Sequence, residues 1–117
     1  MPVIPFQIMT IVRLMTPAQA EAPTRLDDQV FKDHLAYLRE LVKQGKILAN
    51  GPAKRIDDPM LRGISLYLVG AEEARELALQ DPAVKAGCFE IMVDQWMIPV
   101  DPKMIADRTD FEMEVPF

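Results

Sequence analysis

Apolar residues fill both alternating sets of positions in the first long segment of the chain, residues 3–15. A strand with one solvent-facing side alternates apolar and polar residues, whereas a strand covered on both faces does not. The pattern therefore predicts a strand over 3–15 with both faces covered. Pro17 and Pro23 follow, and we expect the strand to end before them because proline cannot donate to a continuing ladder.

Residues 27–45 have the periodicity of an amphipathic helix. Its apolar side chains form one stripe at helical spacing: Phe31, Leu35, Leu38, Leu41 and Val42. Asp27 and Asp28 suit the positively polarised start of the helix, and Gly45 suits its end. Thr24 and Asp27 together resemble a capping box at the helix start.

Shorter strands and a second helix complete the pattern. The strands are predicted at 46–50, 64–69 and 88–98, and the helix at 71–80. Gly51 and Pro52 end the first of these strands. Asp81 ends the helix, because a residue that precedes proline is disfavoured in the helical region. The order predicts a ferredoxin-like α+β fold, a βαββαβ antiparallel sheet with two helices on one face.

The helix-free face of this sheet needs a cover, because the first strand is apolar on both faces. In the strand at 88–98, one face carries Phe89, Ile91 and Val93, and the other carries Glu90, Met92, Asp94 and Trp96. We predict a homodimer whose two sheets pack face to face into an α+β barrel. Residues 99–117 have no clear period. We expect a domain over 1–98 and a C-terminal extension over 99–117 that packs on the domain or on a partner subunit, burying Ile105, Phe111 and Phe117.

Composition narrows the function classes. The chain has 117 residues, half of them apolar, which suits one domain with a core. Its net charge of −5 disfavours nucleic acid and anionic membrane surfaces as partners. No apolar run is long enough to span a membrane, and the N-terminus does not resemble a secretory leader. One cysteine and one histidine give neither an internal disulfide nor a Cys/His metal cage. We predict a cytoplasmic protein without cofactor or metal.

His34 is the only histidine, and it falls inside the apolar stripe of the first helix. A buried imidazole needs a hydrogen-bonding partner. With a carboxylate on one ring nitrogen, the other nitrogen is free to take a proton, as a general base does. The alternative is a structural histidine whose hydrogen bond only stabilises the core.

Several stretches of the chain resemble the YCII-related family of dimeric α+β barrel proteins. They are HLAYLRELVKQGKILANGP from His34, GAEEA from Gly70 and DPAVKAGCFEIMVDQW from Asp81. In that family the helix histidine and the aspartate of the Asp-Pro motif are regarded as the active-site pair. The resemblance therefore implies His34 and Asp81 as catalytic residues. Members have been linked to dehydrochlorination in the breakdown of aromatic compounds. Ala83 stands where the family usually has an aromatic residue, which implies a different pocket shape.

Further candidates concern substrate binding. Gly51, Pro52 and Arg62 could hold an anionic substrate, or they could belong to an ordinary solvated turn. Met92 and Trp96 could line an aromatic-binding pocket, or they could pack in the core or at an interface.

Together the patterns and the resemblance favour a cofactor-independent small-molecule enzyme of the lyase or isomerase type. His34 would abstract a proton from a small carbonyl-bearing or aromatic acid, and Asp81 would orient the ring. The alternative is a non-catalytic small-ligand-binding or oligomerisation module with a structural His–Asp pair.

Overall fold

The computed structural model of the protein describes residues 1–18, 25–100 and 108–115. In these residues the elements are β1 (Val3–Met15), α1 (Asp28–Lys43), β2 (Ile47–Pro52), β3 (Leu61–Tyr67), α2 (Ala71–Leu79), α3 (Pro82–Lys85), β4 (Glu90–Pro99) and β5 (Phe111–Glu114). All the predicted helices and strands are present. Helix α3 and strand β5 were not predicted.

The sheet has the order β2-β3-β1-β4, and every neighbouring pair is antiparallel. This order confirms the ferredoxin-like α+β fold. Strand β5 pairs with the beginning of β1. Phe6 has Pro99 of β4 as its partner on one edge and Phe111 of β5 on the other. The long central strand is therefore paired along both of its edges.

Both long helices pack on one face of the sheet, as predicted. The core cluster consists of Val12, Leu14, Leu38, Leu41, Ile47, Tyr67, Ala74 and Ala78. Ile91 and Val93 pack against it from β4, whereas Met92 and Trp96 are exposed on the helix-free face. In β1, Met9 and Met15 are as buried as residues of the core cluster, which agrees with a strand covered on both faces.

Helix α1 begins and ends close to the predicted bounds. Asp27 is the N-cap and not a first-turn residue: its carboxylate accepts a hydrogen bond from the Val30 N–H at 2.9 Å. Thr24, the other half of the predicted capping box, lies outside the described residues. The stripe is narrower than predicted, because Phe31 and Val42 are 45% and 42% exposed. Phe31 and Val42 lie at the margins of the stripe, whereas Leu38 and Leu41, in its middle, belong to the core cluster.

The prediction that Gly51 and Pro52 end β2 was wrong. Both residues belong to the strand, opposite Ile64 and Gly63 of β3. An edge strand tolerates proline because the missing N–H is not needed on its unpaired side. A side chain at Gly63 would bring its Cβ to 3.1 Å from the carbonyl oxygen of Gly51, so glycine lets the two strands approach closely here.

Asp81 and Pro82 do follow the end of α2, but they also begin another helix. Pro82 occupies the first position of α3, where its fixed backbone angle is favourable and its missing N–H costs nothing. Asp81 is the N-cap of this helix. The proline signal therefore marks both a helix end and a helix start.

The C-terminal segment returns to β1. The rings of Phe6 and Phe111 stack with centroids 5.2 Å apart, and Val115 is buried. Asp110 accepts a hydrogen bond from the Ile8 N–H. Ile105 and Phe117, which were expected to be buried with Phe111, lie outside the described residues. No helix in the described part of the chain is long and apolar enough to cross a membrane.

Candidate functional site

His34 and Asp81 form a buried pair between α1 and the start of α3. Nδ1 of His34 lies 2.7 Å from Oδ2 and 2.9 Å from Oδ1 of Asp81. The two residues are only 8% and 2% exposed. Because a carboxylate accepts and does not donate, the ring donates through its Nδ1–H. The lone pair of a neutral ring is therefore on Nε2, the nitrogen that faces away from Asp81.

The position of Asp81 is fixed by its role as a helix cap. Its Oδ1 accepts a hydrogen bond from the Ala83 N–H at 2.9 Å, while the same carboxylate accepts from His34. Its own N–H donates to the Ala78 carbonyl at the end of α2. A carboxylate held from several directions has little rotational freedom, so it can hold the imidazole in one orientation.

His34 lines a cavity of about 450 Å³ between α1 and the sheet. Most of the lining is apolar: Leu14, Leu26, Phe31, Leu35, Leu38 and Phe89. The ring of Phe89 lies 5.8 Å from that of His34, at an interplanar angle of 56°. An apolar cavity with a few polar groups is the usual form of a small-molecule site, and this volume falls within the usual range.

The structure brings three of the predicted substrate-binding residues to this cavity and leaves two away from it. Gly51, Pro52 and Arg62 lie in its wall. Met92 and Trp96 are on the helix-free face of β4, where they are 46% and 50% exposed. The reason is the alternation of β4, which directs Ile91 and Val93 to the helix side and Met92 and Trp96 to the other.

Two polar residues of the cavity wall were not predicted. Asn50 of β2 and Ser65 of β3 line the cavity and are register partners across the hairpin. Directly opposed residues on antiparallel strands share a face, so both side chains are on the same side as His34. The signal that could have found them is the hairpin register, which the sequence does not reveal.

The sequence profile of the YCII-related domain matches residues 9–96 of the chain. The protein belongs to the YCII-related family. The matched span contains both His34 and Asp81, whereas β5 lies beyond it. No curated protein is similar enough to count as a match.

The chain is also similar to a solved structure, that of 5-chloro-2-hydroxyhydroquinone dehydrochlorinase from Burkholderia phenoliruptrix in complex with 2,5-dihydroxybenzoquinone. The sequence identity is 27%, the alignment covers 77% of this chain and 93% of that chain, and the TM-score is 0.49.

Two tyrosines lie near the pair in this YCII-related domain. Burial raises the pKa of the Tyr37 phenol, and the negative charge of Asp81 adds to the effect. Burial likewise raises the pKa of Tyr67, with smaller contributions from Tyr37 and Asp81. The Tyr37 O–H donates to the Leu77 carbonyl at 2.6 Å and so ties α1 to α2. Both phenols stay protonated at neutral pH.

The surroundings of Cys88 do not favour a nucleophilic thiolate. Its side chain is buried, and its sulfur lies 3.7 Å from the Arg25 carbonyl oxygen. Burial raises the pKa of the thiol, and the charges of Asp27 and Asp81 raise it further. A protonated thiol is a poor nucleophile. Within residues 1–18, 25–100 and 108–115, no cluster of three or more His, Cys, Asp or Glu side chains could hold a metal ion.

Proposed function

We propose that the protein is a cofactor-independent small-molecule enzyme in which His34 is the general base and Asp81 orients its ring. The observation that supports this proposal is the buried 2.7 Å contact between Nδ1 and the carboxylate in the wall of a ligand-sized cavity. The proposed substrate is a small carbonyl-bearing or aromatic acid. The proposed reaction is a proton abstraction that leads to isomerisation or elimination.

The chemistry follows from the tautomer. With Nδ1–H donated to Asp81, the lone pair on Nε2 can accept a proton from a carbon next to a carbonyl group. The imidazolium that forms keeps its hydrogen bond to Asp81, whose charge stabilises it. Because the rest of the wall is mostly apolar, bound substrate excludes water and strengthens this interaction.

We also propose that the protein acts as a homodimer in the cytoplasm. The helix-free face exposes Met92 and Trp96, and large apolar side chains grouped on one sheet face favour association. A second copy of the same face would bury them in the barrel arrangement. A buried thiol at Cys88, with no partner for a disulfide within the chain, fits a reducing compartment.

The test of the catalytic proposal is proton exchange in heavy water. Small 2-oxo acids and hydroxybenzoic acids are incubated with the protein, and loss of their C–H signals is followed by NMR. For any compound that exchanges, we expect His34→Gln to slow exchange by about 100-fold or more, as for loss of a general base. Asp33→Asn, which removes an exposed carboxylate from the same helix, is the matched control. Equal exchange by His34→Gln would refute the proposal.

A non-catalytic role for the pair is the second candidate. Asp81 is almost fully buried and caps α3, which by itself gives it a structural task. On this alternative, His34→Gln and Asp81→Asn lower the free energy of unfolding. The cavity binds small acids without changing them, so no compound shows C–H exchange in heavy water.

A further inference from the structure

The cavity wall contains a hydroxyl group that can bond a ligand. Ser65 lines the cavity and is 3% exposed. A hydroxyl group at a cavity wall can donate to, and accept from, a ligand or a water molecule. Thr10, on the neighbouring strand, is different: its buried hydroxyl donates to the Val69 carbonyl at 2.7 Å.

Asn50 joins Ser65 on the same wall because of an irregularity in β2. Ile47 pairs with Tyr67, and both are buried on the helix side. Strict alternation from Ile47 would direct Asn50 to the opposite face. The register shifts between Ile47 and Ala49, however, so that Asn50 pairs with Ser65. Bulges of this kind redirect side chains and are frequent beside functional sites.

Asn50 is exposed and lines the same cavity. A hydroxyl and an amide that are cross-strand neighbours can both donate to one oxygen atom. They lie on the sheet wall of the cavity, whereas His34 belongs to the helix wall. The cavity therefore has a proton acceptor on one wall and paired donors on the other.

We infer that Ser65 and Asn50 bind the substrate oxygen that becomes negatively charged when His34 takes a proton. This inference rests on the proposed function and deepens it. The C–H bond next to a carbonyl group breaks, its proton goes to Nε2 of His34, and its electron pair moves to the carbonyl oxygen. The resulting enolate oxygen accepts hydrogen bonds from the Ser65 O–H and the Asn50 amide N–H. The substrate class is thus an enolisable ketone or a hydroxylated ring that forms an oxyanion.

The probes are 4-nitrophenolate, which carries a ring oxyanion, and 4-nitrotoluene, which has the same ring without the oxygen. Binding of each to the parent protein, Ser65→Ala and Asn50→Ala is measured by NMR titration. A hydrogen bond to a charged group is worth roughly a tenfold change in Kd or more. We expect each variant to weaken phenolate binding by about that factor and to leave nitrotoluene binding within about twofold. Unchanged phenolate binding, equal losses for both probes, or a parent that does not bind phenolate would overturn the inference.

Thermal unfolding separates a ligand-binding hydroxyl from a structural one. Because the Ser65 hydroxyl lies at the cavity wall, where its proposed partner is a ligand, Ser65→Ala should leave Tm of the ligand-free protein unchanged or raise it. Thr10→Val removes a buried hydroxyl that does have a partner, so it should lower Tm. A fall in Tm for Ser65→Ala as large as that for Thr10→Val would count against the inference. Failure of the catalytic proposal would be seen separately, in the exchange assay with His34→Gln.

Discussion

Nδ1 of His34 lies 2.7 Å from Oδ2 of Asp81, although 47 positions separate the two residues in the chain. The contact joins the middle of α1 to the cap of α3. One carboxylate therefore has two roles, since it begins a helix and also holds an imidazole at the wall of a cavity.

The first prediction concerns the tautomer of His34. Asp81 accepts from Nδ1, so the neutral ring carries its proton there and Nε2 is bare. Long-range proton–nitrogen NMR spectra report which nitrogen is protonated, and with one histidine the assignment is unambiguous. In Asp81→Asn the amide can donate as well as accept, so we expect the Nδ1–H preference to be lost. The same tautomer in both proteins would show that Asp81 does not set it.

The second prediction concerns stability. Asp81→Ala removes the cap of α3 and leaves a buried ring without its partner. Loss of a cap costs about 1 kcal/mol, and an unsatisfied buried polar group about 1–3 kcal/mol. We expect the free energy of unfolding in urea to fall by about 2–4 kcal/mol. Asp33→Ala, at an exposed site on α1, should change it by less than about 0.5 kcal/mol. A loss below about 1 kcal/mol for Asp81→Ala would contradict this.

The third prediction concerns assembly. A lysine at Trp96 would place a charge on the helix-free face of the sheet, where apolar burial between copies is proposed. Trp96→Lys should therefore shift the mass measured by light scattering from dimer to monomer. Leu79→Lys is the matched control, since Leu79 is an equally exposed apolar residue on α2. A dimer that survives Trp96→Lys but dissociates in the control would place the interface on the helices.

The fourth prediction concerns acid stability of the C-terminal segment. Burial alone would raise the pKa of Asp110, but hydrogen bonds from Arg108 and from the Ile8 N–H outweigh it and lower the pKa below its ordinary 3.8. A carboxyl group whose pKa is lower in the folded state stabilises that state at pH values above its unfolded-state pKa. This contribution is lost as the pH falls through the folded-state pKa.

We therefore expect stability to rise with pH across this acidic window in the parent protein. Asp110→Asn should flatten the rise, as measured by urea unfolding at a series of acidic pH values. Glu112→Gln, at an exposed position on β5, should retain it. An equal slope in the parent and in Asp110→Asn would show that this carboxylate is not linked to folding.

The sequence predicted the ferredoxin-like order well because that order depends on local patterns. The doubly apolar run of β1 and the stripe around Leu38 and Leu41 each indicate their element by hydrophobic period alone. The exposed margins of α1, at Phe31 and Val42, were mistaken for core because a periodic pattern does not show how wide the covering surface is. The role of β5 was missed because a four-residue strand has too few positions to show a period.

By itself, the sequence determined the number and type of the main elements and the position of His34 on an apolar helix face. These follow from side-chain periodicity, which acts over a few neighbouring residues. The pairing with Asp81 was implied only by family resemblance, and the tertiary structure decided its geometry. It also decided that Asn50 faces the cavity and that Met92 and Trp96 do not share it. Such placements depend on how distant segments pack and on a single register shift in β2, and neither leaves a local pattern of hydrophobic residues.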